Sequence, residues 1–281
     1  MTISELKAVF KEKLSEHYTE SEINELFSIF CSHILGINKF ELRMTEQKEI
    51  SDDKNEDFKN VIKKLKTGKP YQQIIGESEF YGLKFFIDEN VLIPRPETEE
   101  LLELAIREIE KFNLKDLKII DIGTGSGIIP IVLKKNFPEA EVSAIDFSEK
   151  ALETAKKNAD LHEADINFIH QNYLNENLSE IYNVIISNPP YIGIDEENEI
   201  ADSVKEFEPK MALFSPTSNA LIFYEKIAED SKNNLSENGM VFLEINQKLG
   251  KETKQLFAEV LSEVHLMKDI SGNDRFVFGK K

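Results

Sequence analysis

Cysteine is almost missing. Cys31 stands alone in 281 residues, which excludes an internal disulfide and any cysteine-rich zinc site. It falls within an apolar helical pattern, so a place in a core is expected for it rather than a role as nucleophile. Long apolar runs are missing too: nothing approaches the roughly 18 residues of a membrane span. The opening Met1-Thr2-Ile3-Ser4-Glu5-Leu6-Lys7 has neither a basic n-region nor an apolar h-region, so no signal peptide is expected. Together these absences point to the cytoplasm and away from a membrane. Basic charge is scarce as well, with 34 Lys+Arg against 52 Asp+Glu and a net charge of −18. The deficit is uneven: residues 1–75 carry a balance of −1 and the remaining 206 residues one of −17. Non-specific nucleic-acid binding relies on Lys and Arg neutralising phosphates. An acidic larger half therefore disfavours a duplex as substrate.

What is present suits a soluble globular chain, at 41% hydrophobic and 31% charged residues, long enough for two domains. Over residues 1–67 the pattern is all-helical. Ile3, Leu6, Phe10 and Leu14 recur at helical spacing, as do Ile23, Phe27, Phe30 and Ile34, then Phe58, Val61, Ile62 and Leu65. Ser21 is the expected N-cap of the second helix and Gly36 its C-cap. These stripes read as a small bundle's core, and such a bundle more often recognises a partner than performs chemistry. Thr67-Gly68-Lys69-Pro70 breaks the pattern. Tyr71–Ile75, Ser78–Tyr81 and Leu83–Ile87 then read as short strands, giving a β-hairpin linker over residues 68–90. From residue 91 to 281 strands alternate with helices, the pattern of an α/β, doubly wound, mostly parallel sheet. Seven strands are expected: 117–121, 141–146, 166–170, 184–187, 240–245, 264–267 and 276–278.

Two stretches of the α/β domain carry chemistry. Asp121 ends the first strand, and Gly123-Thr124-Gly125-Ser126-Gly127 turns into the following helix, so that backbone without Cβ atoms can approach a ligand. Asp146 ends the next strand, where a carboxylate can accept both hydroxyls of an adenosine ribose. The spacing is neither Gly-x-Gly-x-x-Gly nor a P-loop, and it suits a cofactor without phosphates, S-adenosylmethionine. The second stretch is Val184-Ile185-Ile186-Ser187-Asn188-Pro189-Pro190-Tyr191. Two prolines stiffen the exit from a buried strand, at the sheet end where ligands sit. The Asn188 side chain and the Pro189 carbonyl are placed to accept both N–H bonds of a flat amino group, with Tyr191 stacking on it. Such a nitrogen is a poor nucleophile, so alignment and electrostatics are the protein's task, and no Lys or His base is required. Arg95, stiffened between Pro94 and Pro96, is expected to place substrate or cofactor.

Asn188-Pro189-Pro190-Tyr191 with the glycine turn resembles the class I, Rossmann-like methyltransferases that modify planar nitrogens, either adenine in nucleic acid or glutamine in protein. Further residues narrow the resemblance. Gly68-Lys69-Pro70-Tyr71-Gln72, Gly76, Phe80-Tyr81-Gly82 and above all Leu92-Ile93-Pro94-Arg95-Pro96-Glu97-Thr98-Glu99 look like the protein-glutamine methyltransferases that act on peptide-chain release factors. So do Phe207-Glu208-Pro209, Ala212-Leu213 and Asp269 to Arg275, and the similarity runs over nearly the whole chain.

The resemblance implies methyl transfer from S-adenosylmethionine to the glutamine amide of a release factor's Gly-Gly-Gln loop. It also implies cofactor contacts at Asp121, Gly123 to Gly127, Asp146 and Asn188, and substrate contacts at Arg95 and Asn188 to Tyr191. The helical domain would help grip the release factor. Two departures stand out. Asn172-Tyr173-Leu174 replaces the family's acid and bulky aromatic, and Tyr173 is assigned the adenine contact. Phe214-Ser215-Pro216-Thr217-Ser218-Asn219 replaces a glycine-rich turn. No metal is expected, no nucleic-acid substrate, and no coiled-coil pattern points beyond a monomer. The rival readings are an adenine methyltransferase, which would need a basic face and a flipped base, and a cofactor-binding adaptor without activity.

Overall fold

Apolar residues three and four apart can bury only if the helices carrying them meet, and in the first unit they do. The computed structural model describes residues 1–111, 116–193, 196 and 201–281, and divides the chain into two units, Met1–Gly76 and Glu77–Lys281. The smaller unit holds α1 (Ile3–Leu14), α2 (Glu20–Leu35), α3 (Lys39–Met44), α4 (Asp52–Leu65) and α5 (Tyr71–Ile75). Its core gathers the expected stripes, Cys31 included. Phe10 meets Phe27 edge-on at 5.5 Å, and Phe58 lies 6.2 Å from Phe27. Burial raises the Cys31 thiol to about 12, so it stays a neutral thiol at physiological pH.

Two local expectations are corrected. Thr19, not Ser21, caps α2: its hydroxyl accepts from Glu22 N while Glu22 reaches back to the Thr19 N–H, a reciprocal box that Ser21 is too late to form. Residues 71–75 form helix α5 instead of a strand, bracketed by Pro70 at the N-cap and Gly76 in a left-handed C-cap at φ 80°.

In the larger unit, β1 (Glu77–Phe80) and β2 (Leu83–Phe86) form the expected hairpin. Phe80 and Phe85 from it enter this unit's main core. Asn158 holds it as well, accepting from Phe86 N at 2.7 Å and donating to Phe86 O at 3.1 Å. There follow α6 (Pro96–Glu110), β3 (Lys118–Ile122), α7 (Ile128–Asn136), β4 (Glu141–Asp146), α8 (Glu149–Leu161), β5 (Asn167–His170) and β6 (Tyr182–Ser187). The chain ends through α9 (Asp202–Phe207), α10 (Lys210–Leu213), α11 (Ile222–Asn234), β7 (Leu235–Glu244), α12 (Gly250–Ala258), β8 (Glu263–Lys268) and β9 (Asp274–Lys280).

The sheet has seven strands in the order β5-β4-β3-β6-β7-β9-β8, parallel except for β9, which pairs antiparallel with both neighbours. Central strands buried on both faces must be apolar throughout, and Ile119, Ile120, Val184, Ile185 and Ile186 are fully buried. After β3 the chain moves outward through β4 and β5, then returns to lay β6 on the other side of β3. That reversal opens a crevice beyond the carboxyl ends of β3 and β6. Ser187 fastens those ends together, donating to Ile122 O at 2.6 Å.

Candidate active site

A cavity of about 680 Å³ fills this crevice. On the β3 side its wall is the glycine turn. Gly123 and Gly125 sit at φ 78° and 54°, with open space where a Cβ would stand. Gly127 is required for a second reason: at φ 80° its Cβ would press on Ala155 of α8 at 3.1 Å. Asp146, at the end of β4, holds the turn from the other flank. Its Oδ2 accepts from Gly125 N and its Oδ1 from Ser148 N, both at 2.8 Å. Burial raises the Asp146 carboxyl, opposed by these backbone N–H groups. Behind the turn, Asp121 is fully buried, and neither carboxylate oxygen has a hydrogen-bond partner among the described residues. The buried Thr124 hydroxyl is likewise unpartnered. Burial first, then the charge on Asp146, lifts Asp121 to about 7 against the pull of the adjacent Thr124.

The β6 side presents Asn188 and Pro190 to the cavity. Asn188 donates from Nδ2 to Thr98 Oγ1 at 3.1 Å. Thr98, in the first turn of α6, donates in turn to Glu244 Oε2 at 2.8 Å. Tyr191 Oη donates to Glu244 Oε1 at 3.2 Å. Pro189 is buried and off the cavity wall. Asn246 braces the turn from below, donating to the Tyr191 carbonyl at 3.1 Å. Tyr191 itself does not line the cavity: its ring packs against the core and its hydroxyl is tied to Glu244. The expected stacking on a flat acceptor therefore gives way to a supporting place behind Asn188.

Arg95 lines the cavity and is also paired, Nη2 to Glu208 Oε1 at 2.6 Å. Glu208 is nearly fully buried and its Oε2 accepts from Ile93 N at 3.0 Å, so this acid fixes the proline-rich segment at two points. Tyr173 lines the cavity with only 4% of its surface exposed. Burial, and then the charge on Asp230, pushes its hydroxyl far above the usual phenol range. The 214–219 loop closes one side. Ser215 donates to Asn219 O at 2.8 Å and Asn219 Oδ1 accepts from Leu221 N at 3.0 Å, so side-chain hydrogen bonds set its course in place of glycines. Among the described residues, no group of three or more His, Cys, Asp or Glu is placed to hold a metal ion.

Of the residues expected from the sequence, Gly123 to Ser126, Asp146, Tyr173, Asn188, Pro190 and Arg95 line this one cavity, whereas Asp121, Gly127, Pro189 and Tyr191 stand off its wall. Sequence reasoning missed Thr98 and Glu244. A buried acid closing an otherwise apolar strand, Met240 to Glu244, was the available signal.

Comparison with known proteins follows these outlines. Residues 103–206 match the family model described as "Methyltransferase small domain", and residues 5–76 that described as "PrmC N-terminal domain". A release factor glutamine methyltransferase of Flavobacterium psychrophilum is 45% identical over 99% of this chain and 98% of its own length. That of Bacteroides thetaiotaomicron is 35% identical over 98% of this chain and 99% of its own. Among solved structures, a methyltransferase from Pyrococcus furiosus superposes with a TM-score of 0.52 at 16% identity, covering 79% of this chain and 98% of its own, a likeness of fold. With its seven-stranded methyltransferase sheet, its glycine turn and relatives matched end to end, the chain belongs to the release factor glutamine methyltransferase family.

Proposed function

We propose that the chain methylates the side-chain amide nitrogen of the glutamine in the Gly-Gly-Gln loop of peptide-chain release factors, with S-adenosylmethionine as donor. The observation that carries this reading is the Asn188 amide. Its Nδ2 is committed to Thr98, which leaves the Oδ1 of this cavity-lining residue to accept a substrate N–H. The second acceptor in this reading is the carbonyl of Pro189, a residue buried between the cavity-lining Asn188 and Pro190, which takes no hydrogen bond from the described residues and would have to be reached by the substrate at the cavity's edge. Two acceptors suit a neutral –NH₂ and draw both N–H bonds out of the amide plane, which leaves the lone pair freer to react.

The residues of the β3 side fit the cofactor. Asp121 and Thr124 carry buried oxygens without partners among the described residues, Thr124 on the cavity wall and Asp121 behind it, and a ligand's ammonium would satisfy them. Gly123 and Gly125 leave open space where side chains would intrude. Asp146, already oriented by two backbone N–H groups, retains lone pairs for ribose hydroxyls. S-adenosylmethionine supplies an electrophilic methyl on a sulfonium. Asp121, Thr124, Gly123 to Gly127 and Asp146 hold it, Tyr173 bounds the adenine side, and Asn188 faces both ligands. Arg95, anchored by Glu208, steers the substrate loop at the cavity mouth. Pro190 stiffens the grip, and Tyr191 supports it from behind.

The helical unit, Met1–Gly76, serves in this reading to recognise the release factor. No helix among the described residues is long and apolar enough to cross a membrane, and a cytoplasmic monomer without a nucleic-acid substrate fits the acidic charge and absent coiled-coil pattern. The matched N-terminal model at residues 5–76 favours this reading over the adenine alternative.

The test uses labelled S-adenosylmethionine with a release factor, native or with its Gly-Gly-Gln glutamine replaced by alanine, and with nucleic acid in parallel. Label is expected on the native factor alone; label on the alanine factor or on nucleic acid sinks the assignment. Asn188→Ala should lose most turnover, by about 100-fold or more, while still binding cofactor in calorimetry.

A further inference from the structure

A side-chain amide has two ends of opposite hydrogen-bonding character and nearly equal shape. Asn188 grips a substrate –NH₂ only with its oxygen toward the cavity. Turned over, it would set donor against donor. Something must therefore choose between the two orientations.

The choice is made by proton count two residues away. Ionised Glu244 only accepts, and it is 1% exposed, so its oxygens draw on the protein's own donors, Thr98 Oγ1 at 2.8 Å and Tyr191 Oη at 3.2 Å. A threonine hydroxyl has one proton. Once Thr98 gives it to Glu244 Oε2, the only role left toward Asn188 is acceptor, and only the –NH₂ end of Asn188 can satisfy it, at 3.1 Å. Thr98 is itself 2% exposed, so no solvent competes for the hydroxyl. We infer that Thr98 and Glu244 are positioning residues that fix the Asn188 amide oxygen toward the methyl acceptor and so set the site's preference for a nitrogen bearing hydrogens. This rests on the reading that Asn188 grips the glutamine amide.

The relay has a direction only while Glu244 is ionised. Protonated, it donates to Thr98 Oγ1, and the Thr98 proton is then free for Asn188 Oδ1, which turns the amide over. The groups facing Glu244 are Glu97 of α6, Tyr191, Tyr224 of α11, whose hydroxyl donates to the Glu244 carbonyl at 3.3 Å, and Arg275 of β9. Burial dominates them and raises the Glu244 carboxyl to about 7, partly offset by Thr98, Arg275 and Tyr191. Turnover at saturating substrates should therefore fall as pH drops through this range.

The experiment compares kcat, both KM values and the pH profile for wild type, Asn188→Ala, Thr98→Val, Thr98→Ser and Glu244→Gln, with cofactor binding measured calorimetrically on each. Thr98→Val keeps shape and removes the hydroxyl. It should lower kcat about 10- to 100-fold with the cofactor KM unchanged, and Thr98→Ser should recover most of the loss. Glu244→Gln should remove the acidic limb near neutrality. Thr98→Val at wild-type kcat, or Thr98→Ser as impaired as Thr98→Val, overturns the relay while leaving the Asn188 grip standing if Asn188→Ala is inactive. An active Asn188→Ala overturns the grip and the relay with it. Should Thr98→Val not fold, the profile of Glu244→Gln decides: an unchanged acidic limb overturns the relay.

Discussion

Asp121 carries a cost that a ligand would relieve. Its carboxylate is fully buried with neither oxygen partnered among the described residues, and sits at about 7 where an unfolded Asp titrates at about 4. The folded state thus holds its proton longer than the unfolded state. Stability is greatest below the unfolded value and falls as pH rises from about 4 to about 7. Asp121→Asn removes this dependence. Without cofactor, the variant should gain roughly 2 kcal/mol on wild type between pH 5 and pH 8, measured by denaturant unfolding at both values. Its affinity for S-adenosylmethionine should drop about tenfold or more, through loss of a charge-assisted contact. An Asn variant that gains nothing on wild type between the two pH values would show that the buried carboxylate is not the cost described. The same chemistry at Glu244 is used differently: there two hydroxyl protons meet the charge, and the raised carboxyl controls an orientation instead of awaiting a ligand.

Among the elements, the turn from β3 to α7 is the least tolerant of change. Gly127 combines a left-handed backbone with a close approach to Ala155. Gly127→Ala should cost about 1–2 kcal/mol for the backbone alone, with further loss from pushing α7 off α8, read as a lower unfolding midpoint and weaker cofactor binding. Gly123→Ala, with open space at its Cβ, should show the backbone penalty without the packing loss. This turn was legible in the sequence because apolar run, acid, glycines and helix follow one another within a dozen residues. So were the seven strands, since branched apolar runs between turn residues leave few other readings.

The misses have physical causes. Tyr71-Gln72-Gln73-Ile74-Ile75 has strand-like side chains, but Pro70 and Gly76 cap it as one helical turn, and Ile74 and Ile75 pack against the bundle core. Tyr191 reads as a ring that stacks on the flat acceptor, until Glu244, 53 residues later, claims its hydroxyl. Thr98 and Glu244 lie 146 residues apart, and no local pattern announces a pair that only sheet topology brings together.

At the scale of the whole molecule, the cavity and the helical unit occupy separate parts of the chain. Among the described residues, those lining the cavity all fall within Glu77–Lys281, between Asn90 and Phe223, and this unit has its own cores on both faces of the sheet. Met1–Gly76 has a separate core and contributes no residue to the cavity wall. It also differs in charge, nearly balanced where the rest of the chain is strongly acidic, so it is the part of the molecule least repelled by an acidic protein surface. If it recognises the release factor, a chain of residues 77–281 should bind S-adenosylmethionine with near wild-type affinity. It should methylate the intact release factor poorly at low factor concentration, through a KM raised about tenfold or more, with kcat on saturation much less affected. Adding the separate helical unit should not restore activity at matched concentrations, because the covalent link supplies a high effective concentration. Equal kcat/KM for the shortened and full chains would remove recognition from the helical unit and place the release-factor contacts entirely around the cavity, which Arg95 and Phe214 to Thr217 help to line.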